Sequence, residues 1–207
     1  MSLRFYTWPR SSGTGTHWAL EELGVPYELA LLDRQKGENR TPAYLAISPG
    51  GKVPAIVDDG QAYFESLAIL LHLGETYGRE AALWPASDPA RAEALCWAVW
   101  GTTELHAYMM QFLYHGLDTP VSYAPEQRSK AAADYNHSQL LRLLDALDGR
   151  LTSREHLLGA FSLADIPAAQ ALMFGTSLGL SLEGRANVER WLARCRARPA
   201  LARVSSS

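Results

Sequence analysis

Ser48-Pro49-Gly50-Gly51-Lys52-Val53-Pro54-Ala55-Ile56-Val57, with Glu65-Ser66-Leu67-Ala68-Ile69 shortly after it, is the stretch that decides the fold. Pro54 stands at the mouth of an apolar run. Proline cannot donate a ladder hydrogen bond, so it opens a strand and does not lie inside one. A cis Val53-Pro54 bond, of the kind found in tight turns, would aim the backbone N–H and C=O of Val53 away from the sheet and toward a peptide-like ligand. Glu65-Ser66 then opens an amphipathic helix. The two features together suggest a pocket for a small, zwitterionic peptide.

Working outward, Asp58-Asp59-Gly60 reads as a hairpin turn between strands over 53–57 and 61–64. A helix over 66–77 follows, with Leu67, Leu70, Leu71 and Gly74 on one side. Upstream, residues 3–7 read as a strand ended by Trp8-Pro9, and 10–16 as a Ser/Gly/Thr loop. Residues 17–23 read as a short helix stopped by Gly24, and 27–32 as a second strand. Thr41-Pro42 is a cap followed by an N1 proline, so it starts a helix. The order is βαβ, helix, ββα, a compact α/β unit over residues 1–78.

Residues 79–89 read as a linker, from Leu83-Trp84-Pro85 to Pro89. From 90 to 207 no convincing strand appears, and Leu140, Leu141, Leu144, Leu147 and Leu151 keep helical spacing. Ser162-Leu163-Ala164-Asp165 reads as a capping box, Ser162 bonding forward and Asp165 back. Pro167, just past it, is expected to weaken that helix. Trp191, Leu192 and Cys195 mark a last helix ended near Pro199, and the arginines from Arg185 to Arg203 read as a solvated face. Only Ser205-Ser206-Ser207 is low in complexity.

The chain has 207 residues, 47% hydrophobic and 20% charged, enough for one large or two small domains with a sizeable core. A net charge of −3 argues against nucleic acid or an anionic membrane as partner. Cys96 and Cys195 are far apart and form no CxxC motif, so a reducing cytoplasm is the expected compartment. Residues 1–5 open no long apolar stretch, so no signal peptide is expected.

The βαβ-α-ββα unit, with a proline opening its third strand and a helical domain behind it, resembles the cytosolic glutathione transferases. The resemblance covers essentially the whole chain. It is carried by Leu20-Glu21-Glu22-Leu23-Gly24, Ser48-Pro49-Gly50-Gly51-Lys52-Val53-Pro54, Glu65-Ser66-Leu67-Ala68-Ile69 and the capping box at Ser162. Thr103-Glu104-Leu105-His106 looks like bacterial members, the beta class above all. The implied fold is a thioredoxin-like α/β domain followed by an all-α domain. The implied activity is activation of glutathione as thiolate and its conjugation to an apolar electrophile by a homodimer, with no metal.

On that resemblance the α-carboxylate of the γ-glutamyl end would lie at a helix N-terminus, with Ser66 offering its N–H and hydroxyl and Glu65 pairing with the ammonium. The alternative for this pair is plain helix capping. Val53, ahead of Pro54, would pair with the cysteinyl backbone like one more strand. Lys52 would reach the peptide's carboxylates, or else stand solvated. A thiol of ordinary pKa about 8.5 is little ionised at neutral pH, so a hydroxyl or N–H aimed at sulfur favours the thiolate. The Arg10-Ser11-Ser12 run resembles the zeta class and implies Ser11 as that hydroxyl. Counted back without a gap from Gly24, Ser12 instead falls where the beta class carries cysteine, so both serines stay candidates. Tyr6 is a third, more simply packed in its strand. His106 matches the beta-class histidine near the glutathione sulfur. Tyr108, Met109, Gln111, Phe112 and Tyr114 would line the electrophile site, or else be core.

Three motifs mislead. Gly175-Thr176-Ser177-Leu178-Gly179 spells a nucleophile elbow but follows a helix. Gly13-Thr14-Gly15 lacks the third glycine of a dinucleotide loop, and the six histidines show no metal-ligand spacing. Two rival readings remain: a glutathione-dependent disulfide reductase or peroxidase without a protein cysteine, and a non-catalytic binding module. The second would be expected to lose Glu65, Ser66 or Pro54, which are all present.

Overall fold

The computed structural model describes residues 2–205. Met1 and the Ser206-Ser207 end of the serine tail lie outside them, and with them the outermost residues of the two expected domains. Two compact units emerge: Met1–Ala86 with Arg198–Ser207, and Ser87–Ala197. The helical domain expected over 90–207 therefore loses its last helix to the first unit.

The first unit is built on a four-stranded sheet of order β2-β1-β3-β4. β1 (Leu3–Thr7) runs parallel to β2 (Glu28–Leu31) and antiparallel to β3 (Ala55–Asp58), and β3 is antiparallel to β4 (Gln61–Phe64). Strand alternation sends Leu3, Phe5 and Thr7 of β1 into the interior, with Phe5 fully buried. Buried Trp18, Leu20, Ile69 and Leu73 come from α1 (Thr14–Leu23) and α3 (Ser66–Leu73). A second apolar cluster joins Tyr44, Val53 and Ala55 with Tyr6 and Trp8, so Tyr6 is packed as its place in the strand suggested. Tyr44 belongs to α2 (Pro42–Leu45), whose cap is the expected one: Thr41 Oγ1 accepts from the Tyr44 N–H, with Pro42 at the first helical position. Asp59 and Gly60 both take positive φ, 44° and 86°, the two-residue hairpin geometry that matches strand twist.

The structure moves several boundaries. The third strand begins at Ala55, after a cis Val53-Pro54 bond. α1 begins at Thr14, not residue 17, which puts Ser11 and Ser12 directly ahead of a helix. α3 passes into a π-helical turn, Gly74–Gly78. The expected linker is partly anchored, because buried Trp84 donates from Nε1 to Glu75 at 3.1 Å. α9 (Pro199–Ser205) packs on α1, where Arg198 grips Glu22 at 2.5 and 2.7 Å and Arg203 grips Glu21.

The second unit is helical: α4 (Ala90–Trp100), a π-helical turn (Gly101–Leu105), α5 (His106–Gly116), α6 (Lys130–Arg150), α7 (Asp165–Ser177) and α8 (Ala186–Arg196). Met109 and Leu113 of α5 and Leu140, Leu144 and Leu147 of α6 are all fully buried. The capping box is altered. Asp165 Oδ2 accepts from the Ser162 N–H at 3.0 Å as expected, but the Ser162 hydroxyl turns to the same carboxylate at 3.3 Å instead of bonding forward. Pro167 is the third residue of α7, where a missing N–H leaves no intrahelical bond unmade, so its expected penalty is absent. The arginines are a solvated face only in part: Arg190, Arg196 and Arg203 are exposed, while half-buried Arg185 pairs with Asp145 and half-buried Arg194 donates to the Glu155 carbonyl. Ser177 lies within α7, which disposes of the nucleophile elbow. No helix among the described residues is long and apolar enough to cross a membrane.

Candidate functional site

The pairing registers gather the expected residues. Tyr6 pairs with Ala55 and Ala55 with Phe64, so the end of β1, the start of β3 and the end of β4 meet at one end of the sheet. Ser11-Ser12 continues from β1, Val53-Pro54 precedes β3, and Glu65-Ser66 follows β4. Two helices, α1 and α3, start from this end, so their positive dipole ends belong to it.

The approach to Pro54 is held carbonyl by carbonyl. Asn39 Nδ2 donates to the Gly51 carbonyl at 2.8 Å. The Tyr44 and Ser48 hydroxyls both donate to Lys52 O, at 2.7 and 2.9 Å. The Ser12 hydroxyl donates to Val53 O at 2.9 Å. Burial pushes the Tyr44 phenol up to about 12, so it stays a donor at any working pH. The Val53 carbonyl is therefore not left to a ligand alone. It retains a second lone pair, but its bond to Ser12 runs within the protein, against the expectation that it turns outward. The Lys52 side chain is exposed.

The two serines of the loop differ. Ser12 sends its hydroxyl into the protein, onto Val53. Ser11 Oγ accepts from the Gly13 N–H at 3.1 Å and lies 3.0 Å from Thr7 Oγ1. The Ser11 carbonyl accepts from the N–H and hydroxyl of Thr14, at 3.3 and 3.0 Å, which fastens the loop to the first turn of α1.

At the other helix start, Glu65 adopts φ 69°, a conformation non-glycine residues rarely take. It is the N-cap of α3, yet its side chain makes no cap hydrogen bond, so plain capping does not account for it. Such backbone positions concentrate at ligand sites.

His106 belongs to the second unit. It is the first residue of α5 after the π-helical turn, and its side chain is exposed. Surrounding protein still desolvates the imidazole enough to hold its pKa below the ordinary value. The aromatic stripe of α5 is largely spent on packing. Met109 is core, Phe112 stacks on His137 at 4.4 Å, and Tyr114 stacks on Tyr123 at 5.0 Å. Gln111 is exposed. Among the described residues no cluster of three or more His, Cys, Asp or Glu could hold a metal.

Sequence reasoning missed Asn39, Tyr44 and Thr7. Tyr44 carried a signal, since a tyrosine in a short apolar helix needs a partner for its hydroxyl.

Residues 12–76 match the model of the glutathione S-transferase N-terminal domain, and residues 103–199 match that of the C-terminal domain. The chain is 33% identical over 203 residues to the glutathione S-transferase GstB of Escherichia coli K12, with 95% of each protein covered. This chain belongs to the glutathione S-transferase family. Among solved structures, this transferase-family chain resembles a glutathione transferase family member from Pseudomonas fluorescens with two glutathione bound. The TM-score is 0.81 at 28% identity, covering 98% of this chain and 91% of that one. A glutathione transferase from Burkholderia graminis, with two glutathione molecules bound per subunit, gives a TM-score of 0.83 at 30% identity, covering 100% and 88%.

Proposed function

We propose that this chain binds glutathione at the sheet end formed by Ser11, Ser12, Val53, Pro54, Glu65 and Ser66, ionises its thiol and conjugates it to a small apolar electrophile. The observation that carries the reading is the start of α3: an exposed Glu65, held at positive φ and making no cap bond, beside Ser66. Glu65 takes the ammonium of the γ-glutamyl end, and the Ser66 N–H and hydroxyl take its carboxylate. The cysteinyl backbone lies along Val53, and Lys52 meets a peptide carboxylate.

Ser11 donates to the sulfur. Ser12, whose proton goes to Val53, supports the binding segment instead. The N-terminus of α1 adds its dipole to the same anion. Hydrogen bonding and orientation suffice for such an addition, because the electrophile supplies its own leaving group or acceptor. The working form is a cytoplasmic homodimer, as is usual in the family.

The test is Glu65→Ala on immobilised glutathione. Loss of retention supports the reading, and retention equal to that of the parent protein overturns it.

A second reading is supported by the two relatives that hold two glutathiones: reduction of disulfides, with both thiols coming from glutathione. Cys96 and Cys195 both belong to the second unit, so the loop at Ser11 offers no thiol of its own. Turnover of a mixed disulfide far above that of chlorodinitrobenzene would favour it.

A further inference from the structure

We propose that Thr7 is a positioning residue for Ser11: its hydroxyl donates to Ser11 Oγ and so directs the Ser11 proton outward, to the thiolate. The proposal rests on the assignment of Ser11 above.

Thr7 is the last residue of β1 and is buried, 7% exposed. Its Oγ1 has two neighbours, Ser11 Oγ at 3.0 Å and the Trp8 carbonyl at 3.4 Å. A hydroxyl has one proton to give. Were it given to Trp8, Ser11 would have to donate to Thr7, and its proton would be consumed inside the protein. Given to Ser11, it joins the Gly13 N–H, 3.1 Å away, as a second donor on Ser11 Oγ. Both acceptor positions of that oxygen are then filled, and its own proton can only point elsewhere. The Trp8 contact favours this arrangement, since 3.4 Å is long for a hydroxyl bond and makes that carbonyl a poor taker of the Thr7 proton. Two donors on one hydroxyl also polarise it and strengthen the bond it gives.

Gly13 is the independent sign that the contact is built. Its φ is −66°, open to any residue, so backbone conformation does not require glycine there. Space does. A Cβ on Gly13 would lie 2.2 Å from Thr7 Oγ1 and 3.1 Å from Ser11 Oγ. The chain carries no side chain at this position because the Thr7 hydroxyl occupies the room. Thr7 touches no ligand in this scheme and acts through Ser11.

The experiment measures the pKa of enzyme-bound glutathione by thiolate absorbance, with glutathione affinity by calorimetry. The proteins are the parent, Thr7→Val, Thr7→Ser, Ser11→Ala and the Thr7→Val/Ser11→Ala double variant. Thr7→Val is expected to raise the thiol pKa by roughly half a unit to one unit, with affinity within about two-fold of the parent. Thr7→Ser is expected to restore it, and the double variant to match Ser11→Ala alone. If Ser11→Ala raises the pKa while Thr7→Val does not, the relay is overturned and the Ser11 assignment stands. If Ser11→Ala leaves the pKa unchanged, the Ser11 assignment itself fails. A further rise in the double variant, or no recovery in Thr7→Ser, shows that Thr7 acts by packing and overturns the proposal. Should Thr7→Val not fold, Thr7→Ala carries the same comparison.

Discussion

Two acidic residues stand at two helix starts and are treated oppositely. Asp165 opens α7 fully buried and accepts from the N–H groups of Leu157 and Ser162, the Ser162 hydroxyl and the Trp191 indole. Glu65 caps α3 exposed, at positive φ, with no side-chain cap bond. An acid at a helix start reads alike in both places, since the dipole favours it. The difference is where the remaining acceptor capacity goes. Asp165 spends it on protein donors and ties helix to loop. Glu65 leaves it unspent on the cap of α3, as the proposed ligand contact requires.

That contrast orders the expected stability effects. Asp165→Ala strands several buried donors at once and should remove about 3–5 kcal/mol, read as a collapse of the urea midpoint. A loss below about 1 kcal/mol would show that the buried hub is not what ties helix to loop. Asn39→Ala removes one buried amide from the Gly51 carbonyl and should cost about 1–3 kcal/mol by the same measurement, with weaker glutathione binding in proportion to the loosened segment.

A pH effect of middle size belongs to α1. Burial lowers the His17 pKa, with nearby Glu21 pulling weakly the other way. Burial also raises Glu21, but its bonds from Arg203 and Tyr27 outweigh that and hold it below the usual carboxylate value. For both groups the unfolded chain binds the proton first. Each contribution is thus present above the group's unfolded value, 6.5 or 4.5, and is lost as pH falls through its folded one. Melting temperature should fall once as pH drops below 6.5 and again as it drops below 4.5. A flat profile would contradict the network. Smallest is Glu65→Ala, expected within about 0.5 kcal/mol of the parent in stability while losing glutathione retention. A large stability loss would make Glu65 a second Asp165.

The strand-opening proline, the Asp59-Gly60 turn and the Thr41-Pro42 cap were legible because each rests on local covalent geometry. The start of α1 was not. Its first turn is Thr-Gly-Thr with no side-chain cap, and what fixes it is the Ser11 carbonyl. The role of Ser12 was equally hidden, since its partner Val53 is distant in sequence and only sheet topology brings the two together. The Ser162 hydroxyl took the nearer charged acceptor over a neutral pattern, and the arginine face became a set of clamps once α9 found α1. These are tertiary outcomes that periodicity cannot carry.

The clamp of Arg198 on Glu22 and Arg203 on Glu21 has a consequence for the order in which the molecule is made. The first unit is discontinuous, with Ser87–Ala197 inserted before its last helix. A ribosome releases its sheet early but cannot supply α9 until every helix of the second unit has been translated. The sheet-bearing unit is thus begun before the second unit and completed after it, and until then the α1 face bearing Glu21 and Glu22 waits uncovered in the nascent chain.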